Sequence, residues 1–359
     1  LNSQQLREFL EKGKDIIITT IQKFPFVSEV ISQLKGNTFG VVIDEVHSSQ
    51  TGETSKHLKK SLSLGDDEDG EIDYEEFIRQ EIESRGKQDH ISFFGFTGTP
   101  KNKTLELFGR RNEEGHFVPF HSYTMKQSIS EGFTLDVLQN YTTYKRYFKV
   151  LQTTEEDQEV PESKVKREMA QFVDSHEETI RQKVTIILDH FVKNTSKRID
   201  GRGRGMVVVR SRKHCVLFHE EMVKQMRERG LSYSCLVGFS GTIFHNGREN
   251  TESSLNKENG LENTSIPNGL KDPRYRILIV SNKFQTGFDE PLLQSMYVDK
   301  KLNGVQCVQT LSRLNRTKSG KTDTFVLDFV NETDEIIESF QPYFTSTILK
   351  EETDPDKLY

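Results

Sequence analysis

A chain of 359 residues with 33% hydrophobic and 29% charged side chains is too long for a single ordinary core and too apolar for wholesale disorder. Its formal charge of −6 argues weakly against a nucleic-acid partner taken as a whole, yet phosphate binding needs only a local basic groove, and much of the acidic excess sits between Gly65 and Glu83. The 3 cysteines form no CxxC pair and no run approaches the ~20 apolar residues that span a bilayer, so neither zinc, a disulfide framework nor a membrane is indicated and a reducing cytoplasm fits best.

In chain order, the apolar, β-branched runs DIIITT, FGVVIDE, ISFFGFT, GMVVVR, RILIVS, SMYVDK and TFVLDF read as buried parallel strands. Between them, stretches such as KHCVLFHEEMVKQMRERG carry apolar residues at helical spacing before a glycine stop. Strands alternating with helices imply an α/β fold whose sheets are covered on both faces. The acidic stretch 65–83 and the polar run Asn246 to Asn268 are too hydrophilic for a core and read as surface insertions. A domain boundary is expected between Pro119 and Tyr141.

FGVVIDEVH, Phe39 to His47, is an apolar strand ending in two carboxylates, which a parallel sheet would deliver to its carboxyl edge, where such folds bind ligands. There Asp44 can hold magnesium and Glu45 can orient and deprotonate a water attacking a γ-phosphate, although Asp-Glu after a strand also serves as a helix cap. In ISFFGFTGTP, Gly98 and Pro100 force a tight turn expected to expose Thr97 and Thr99 at the same edge. In VQTLSRLNR, Arg313 and Arg316 lie three apart on an expected helix and so share a face beside Gln309. Two guanidiniums suit phosphate oxygens; a solvated helix face is the bland alternative.

The order DEVH, TGTP, TGFD, QTLSRLNR resembles that of the superfamily 2 helicase motifs. TTIQKF, DEVHSSQTG, FFGFTGTP, GFSGT, NKFQTGFDEPLLQSMYVDKKL and VQTLSRLNRTKSGKTDTFVLDFVN are similar to the R subunits of type I restriction enzymes, nearly end to end. The resemblance implies two RecA-like parallel-sheet domains in tandem: 1–130, truncated at its N-terminus and carrying motifs Ib to III, and 131–345 with motifs IV to VI. Residues 346–359 would start a helical segment or tail. It implies an ATP- and Mg2+-dependent translocase of double-stranded DNA that works with modification (methyltransferase) and specificity subunits before a separate nuclease domain cuts. A stand-alone DNA or RNA helicase, or a non-hydrolysing DNA-binding module, is the alternative.

By the same resemblance Asp44 is the magnesium ligand, Glu45 the catalytic base and His47 a coupler, while Thr97 and Thr99 relay the nucleotide state. Gln309, Arg313 and Arg316 would face the nucleotide, Arg316 being the preferred arginine finger, with Gly287 and Asp289 shaping the site. Thr19, Thr20, Arg210, Ser211 and Thr286 would touch the DNA backbone. Two family features are not found in these residues: a G-x-x-x-x-G-K-[ST] phosphate loop ahead of DEVH, and the nuclease domain, so the chain is expected to begin inside the first motor domain. SGKT at Ser319 to Thr322 mimics the end of a phosphate loop, but Asn315 stands where the first glycine belongs and a strand follows, so it reads as a turn. GDDEDGEIDYEEF imitates a calcium loop but begins with Gly65 in place of the first carboxylate.

Overall fold

Phe39–Ile43 (β1) and Ile91–Gly95 (β2) pair in parallel, Ile43 opposite Gly95, in the computed structural model, which describes residues 3–45, 49–50, 72–73, 78–80, 82–83, 89–100, 102–147, 177–262, 264–284 and 287–344. The chain divides into two units, Leu1–Ser122 and Tyr123–Tyr359. In the first, strand alternation puts Phe39, Val41, Ile43, Ile91 and Phe93 on one face. They pack against Leu6 and Leu10 of Ser3–Glu11 (α1), against Phe24, Val30 and Ile31 of Phe24–Gln33 (α2), and against Leu107 and Phe108 of Asn102–Phe108 (α3).

The opposite face carries Val42, Phe94 and Phe96, which are 64%, 52% and 59% exposed. This differs from the expected strands buried on both sides, because among the described residues the apolar helix contacts lie on one face only. DIIITT departs further. It is not a strand and has no pairing neighbour among the described residues, so its backbone groups are left to water; Ile16 and Ile18 are exposed and Ile17 packs on the core.

The second unit contains a six-stranded, all-parallel sheet built from Tyr141–Thr143 (β3), Arg204–Val209 (β4), Ser234–Gly238 (β5), Tyr275–Val280 (β8), Leu293–Asp299 (β9) and Phe325–Asp328 (β10). Its order is β3-β10-β9-β4-β8-β5. Residues alternate cleanly between two cores. Val207, Val209, Ile277, Ile279 and Tyr297 meet Glu177–Lys193 (α5) and Arg212–Glu228 (α6), while Met206, Val208, Leu278, Met296 and Val298 meet Gly304–Leu311 (α8) and Thr333–Phe344 (α9). Burial on both faces is why these strands read as continuous apolar runs. Met125–Ser130 (α4) opens the unit, its N-cap Thr124 accepting from the Gln127 N–H.

The polar run from Asn246 is no mere insertion. Thr242–His245 (β6) and Arg248–Thr251 (β7) form a hairpin that leads into Glu252–Glu258 (α7), whose Thr251 and Ser254 make a reciprocal capping box. Within α7, Asn256 is 3% exposed. Its side chain accepts the Val237 N–H at 2.8 Å and donates to the Val237 carbonyl at 2.9 Å, taking the place of one residue of a further strand beside edge strand β5. Among the described residues no helix is long and apolar enough to cross a membrane.

Candidate functional site

Asp44 and Glu45 leave β1 at its carboxyl edge, both exposed, and the next residue of β2's line, Phe96, donates its N–H to the Ile43 carbonyl at 2.8 Å. The two motifs therefore emerge side by side. The Asp44 Oδ1 accepts the Glu45 N–H at 3.0 Å, and Glu45 sits at φ +50°, a left-handed conformation that a non-glycine residue adopts at a cost of ~1–3 kcal/mol. Such strain concentrates where a turn is held for a purpose. Asp44 supplies the hard oxygen that magnesium prefers, and magnesium commonly takes only one or two protein carboxylates besides phosphates and water, so the residues present fit that ion.

Thr97 is half-buried, but Thr99 is 3% exposed, contrary to the expectation that both would be presented at the edge. The cause is local: the Thr97 Oγ1 accepts the Thr99 N–H at 3.1 Å, a hydroxyl-closed turn that folds Thr99 inward. Thr19 and Thr20 are exposed ahead of the short 3-10 turn Ile21–Lys23. His47 and Thr286 lie outside the described residues, as do 155–168, 346–359 and, apart from a few positions including Ile72 and Asp73, the acidic stretch with the calcium-like spacing.

In the second unit Gly287, Phe288, Asp289 and the arginines come together. The helix expected through Arg316 stops earlier: α8 ends at Leu311, a 3-10 turn covers Ser312–Leu314, and Arg316 bridges to Thr134 while the Asn315 carbonyl accepts the Leu135 N–H at 2.8 Å. That crossing strand-like contact draws the chain off the helical path. Arg313 and Arg316 still converge on consecutive residues. Arg313 Nη1 donates to the Phe288 carbonyl at 3.0 Å and its Nε to the Gln309 carbonyl at 3.1 Å; Arg316 Nε donates to the Asp289 Oδ1 at 3.0 Å. Gln309 and Arg313 are half-buried, and Gly287 is exposed at φ +64°. The Arg316–Asp289 pair leaves its side chains 43% and 70% exposed, a setting in which an ion pair contributes ~0–1 kcal/mol and yields readily to a stronger anion.

Two anchors here had no distinct signal in the sequence. Glu290 accepts from Arg204 Nη1 at 2.5 Å, with both side chains nearly buried, while Arg204 Nη2 donates to the Leu270 carbonyl, so the 287–290 segment is fastened at the start of β4. Lys321, the lysine of the SGKT sequence, is 6% exposed and donates to the carbonyls of Leu314 and Arg316 at 2.6 and 2.8 Å. The surrounding residues do form a turn, with Gly320 at φ +81° and Lys318 bridged to Lys321.

Arg210 and Ser211 lie at the other edge of the same sheet. They follow β4 at its carboxyl end, whereas Arg204 and the 287–290 segment sit at the amino ends of β4 and β9, and six strand residues separate the two edges by about 20 Å. Ser211 caps α6 and is locked to His214, which gives its N–H to the Ser211 Oγ at 3.3 Å and places Nδ1 at 2.7 Å from the same oxygen. Arg210 Nε donates to His214 Nε2 at 2.8 Å, so the ring is neutral with its proton on Nδ1. Burial, with help from Arg210, Lys183 and Lys213, pushes the His214 pKa down to about 4. Beside it the buried pair Lys183–Asp299 closes at 2.6 Å.

Residues 120–331 match the family model for domain 3 of the type I restriction enzyme subunit R, and residues 1–66 match that of the SWI2/SNF2 ATPase. The type I restriction enzyme SauMSSORF170P endonuclease subunit of Staphylococcus aureus strain MSSA476 is 26% identical over 97% of this chain and 37% of that protein. The type I restriction enzyme HindI endonuclease subunit of Haemophilus influenzae is 24% identical over 96% of this chain and 32% of its own length. The chain thus spans about a third of these curated relatives. Among solved structures, the ATP-dependent Type ISP restriction-modification enzyme LlaBIII bound to DNA superposes with a TM-score of 0.50 at 11% identity, covering 96% of this chain and 23% of that one, a likeness of fold.

Proposed function

Since the chain belongs to the type I restriction enzyme subunit R family, we propose that it is the ATP-dependent motor of that subunit, translocating double-stranded DNA before a separate nuclease domain cuts it. Its fold is of the expected α/β class with parallel sheets. The observation that carries the reading is the emergence of Asp44 and Glu45 from a parallel strand beside the Thr97 turn, at the edge where α/β sheets bind ligands.

In this reading Asp44 would hold Mg2+ together with the ATP phosphates, and the ion would supply positive charge to the transferred phosphoryl group. Glu45 orients the attacking water and takes its proton. Thr97 senses the nucleotide through its turn, with Thr99 acting from within it. Arg316, parked on a solvent-exposed carboxylate, turns to the γ-phosphate, while Arg313 and Gln309 hold the segment of Gly287 and Asp289 in shape. His47, Thr19, Thr20, Arg210, Ser211 and Thr286 link this chemistry to the DNA backbone. The modification and specificity subunits are the expected partners.

The test uses the full-length subunit assembled with those partners. Glu45→Gln is expected to bind ATP normally and to lose DNA-stimulated hydrolysis and triplex displacement, because an amide cannot accept the proton. Hydrolysis within a few-fold of wild type would remove Glu45 from the role of base.

A further inference from the structure

The 3-10 turn Ser312–Leu314 ends without the usual glycine, since its C-cap Asn315 keeps φ at −72° and a right-handed helical conformation. The last carbonyls of such a turn need donors from elsewhere. Lys321, 6% exposed, closes the next turn, and its ammonium donates to the carbonyls of Leu314 and Arg316. The Gly320 backbone at φ +81° and the Lys318–Lys321 bridge hold that turn in place.

We infer that Lys321 is a positioning residue for Arg316: by fixing the Arg316 carbonyl on one side, as the Thr134 bridge and the Leu135 amide fix the chain on the other, it sets the main-chain point from which the guanidinium reaches phosphate. The inference deepens the proposed function and rests on Arg316 acting on the γ-phosphate. Burial pushes the Lys321 pKa down to about 8, with Glu290 acting to raise it and Arg316 to lower it. A buried ammonium that gives two of its three N–H donors to main-chain oxygens is a structural clamp, and its burial keeps it from an ATP phosphate in the way that an open phosphate-loop lysine is not kept. A water at this place would satisfy the same carbonyls less rigidly.

The experiment compares Lys321→Met, Lys321→Gln and Arg316→Ala in the full-length subunit assembled with its partner subunits. Lys321→Met is expected to lower kcat for DNA-stimulated ATP hydrolysis about tenfold or more with KM for ATP within about threefold, as a small misplacement of a transition-state group does. Lys321→Gln, whose neutral amide NH2 can still donate to these carbonyls from a shorter side chain, should fall between Met and wild type. Combined with Arg316→Ala, Lys321→Met should add no further loss, since it acts through that arginine. Hydrogen exchange at the Leu135 and Asn315 amides should quicken in Lys321→Met whatever Arg316 does, so it reads positioning separately from the arginine's role. Unchanged kcat in both lysine variants, unchanged exchange, or a multiplicative double-variant loss overturns the inference. Quickened exchange with full turnover in Arg316→Ala would instead overturn the reading of Arg316.

Discussion

The two arginines of the 313–316 turn differ in what holds them, and that difference predicts different outcomes on truncation. Arg316 gives its Nε to a carboxylate that is itself largely in water, so little is lost when it leaves. Arg316→Ala in the intact subunit should slow turnover by ~10³-fold with much less change in ATP affinity, the pattern of a lost transition-state guanidinium. Arg313 spends its donors on the Phe288 and Gln309 carbonyls, so Arg313→Ala should cost less in kcat. Single-turnover kinetics separates the two; equal losses in affinity and rate for Arg316→Ala would make it a ground-state phosphate ligand. The types and spacing of these residues were legible in the sequence, but their partners were not, because Phe288 and Asp289 reach them only through the fold. The same limit hid Lys321, whose neighbours in sequence suggest only a turn.

At the level of elements, GMVVVR and RILIVS, each with four consecutive apolar residues, read as strands and are strands, because each is covered on both faces. β3 and β5 carry no such run, since Tyr141–Thr143 is short and Ser234–Gly238 begins polar. DIIITT shows the converse: strand-forming composition without a neighbour to pair with. Asn256 is the sharpest case, a polar residue in a polar run that nonetheless completes the β5 edge. Asn256→Ala would leave a buried N–H and carbonyl unpaired and should destabilise the second unit by about 1–3 kcal/mol. Arg248→Ala, which removes only the exposed pair to Glu258, should change it by less than ~0.5 kcal/mol. Urea unfolding midpoints decide between them, and equal effects would mean that the Val237 bonds contribute nothing.

At the scale of the whole molecule, three buried histidines among the described residues, His190, His214 and His219, have pKa values pushed down to about 4, chiefly by burial. The unfolded chain, with ordinary values near 6.5, binds more protons between those limits, so their contribution is intact above about pH 6.5 and is lost as pH falls towards 4. The melting temperature should therefore drop from pH 7 to pH 5, with uptake approaching roughly three protons on unfolding near pH 5, measurable by calorimetry in buffers of different ionisation enthalpy. A pH-independent transition would contradict it. The 359-residue chain by itself, given Mg2+, ATP and duplex DNA, should show no stimulated hydrolysis: it contains no G-x-x-x-x-G-K-[ST] run, and the lysine of its SGKT sequence is already bonded to two carbonyls. Robust turnover would show that another segment cradles the phosphates. β4 runs for 6 residues, Arg204–Val209. Clamped between β8 and β9, it can neither shorten nor stretch, so Arg210 and the Arg204–Glu290 anchor stand at opposite ends of a stiff lever. A push on the Arg204–Glu290 anchor would therefore reach Arg210 as a tilt of β4, with an amplitude set by how many residues that strand contains.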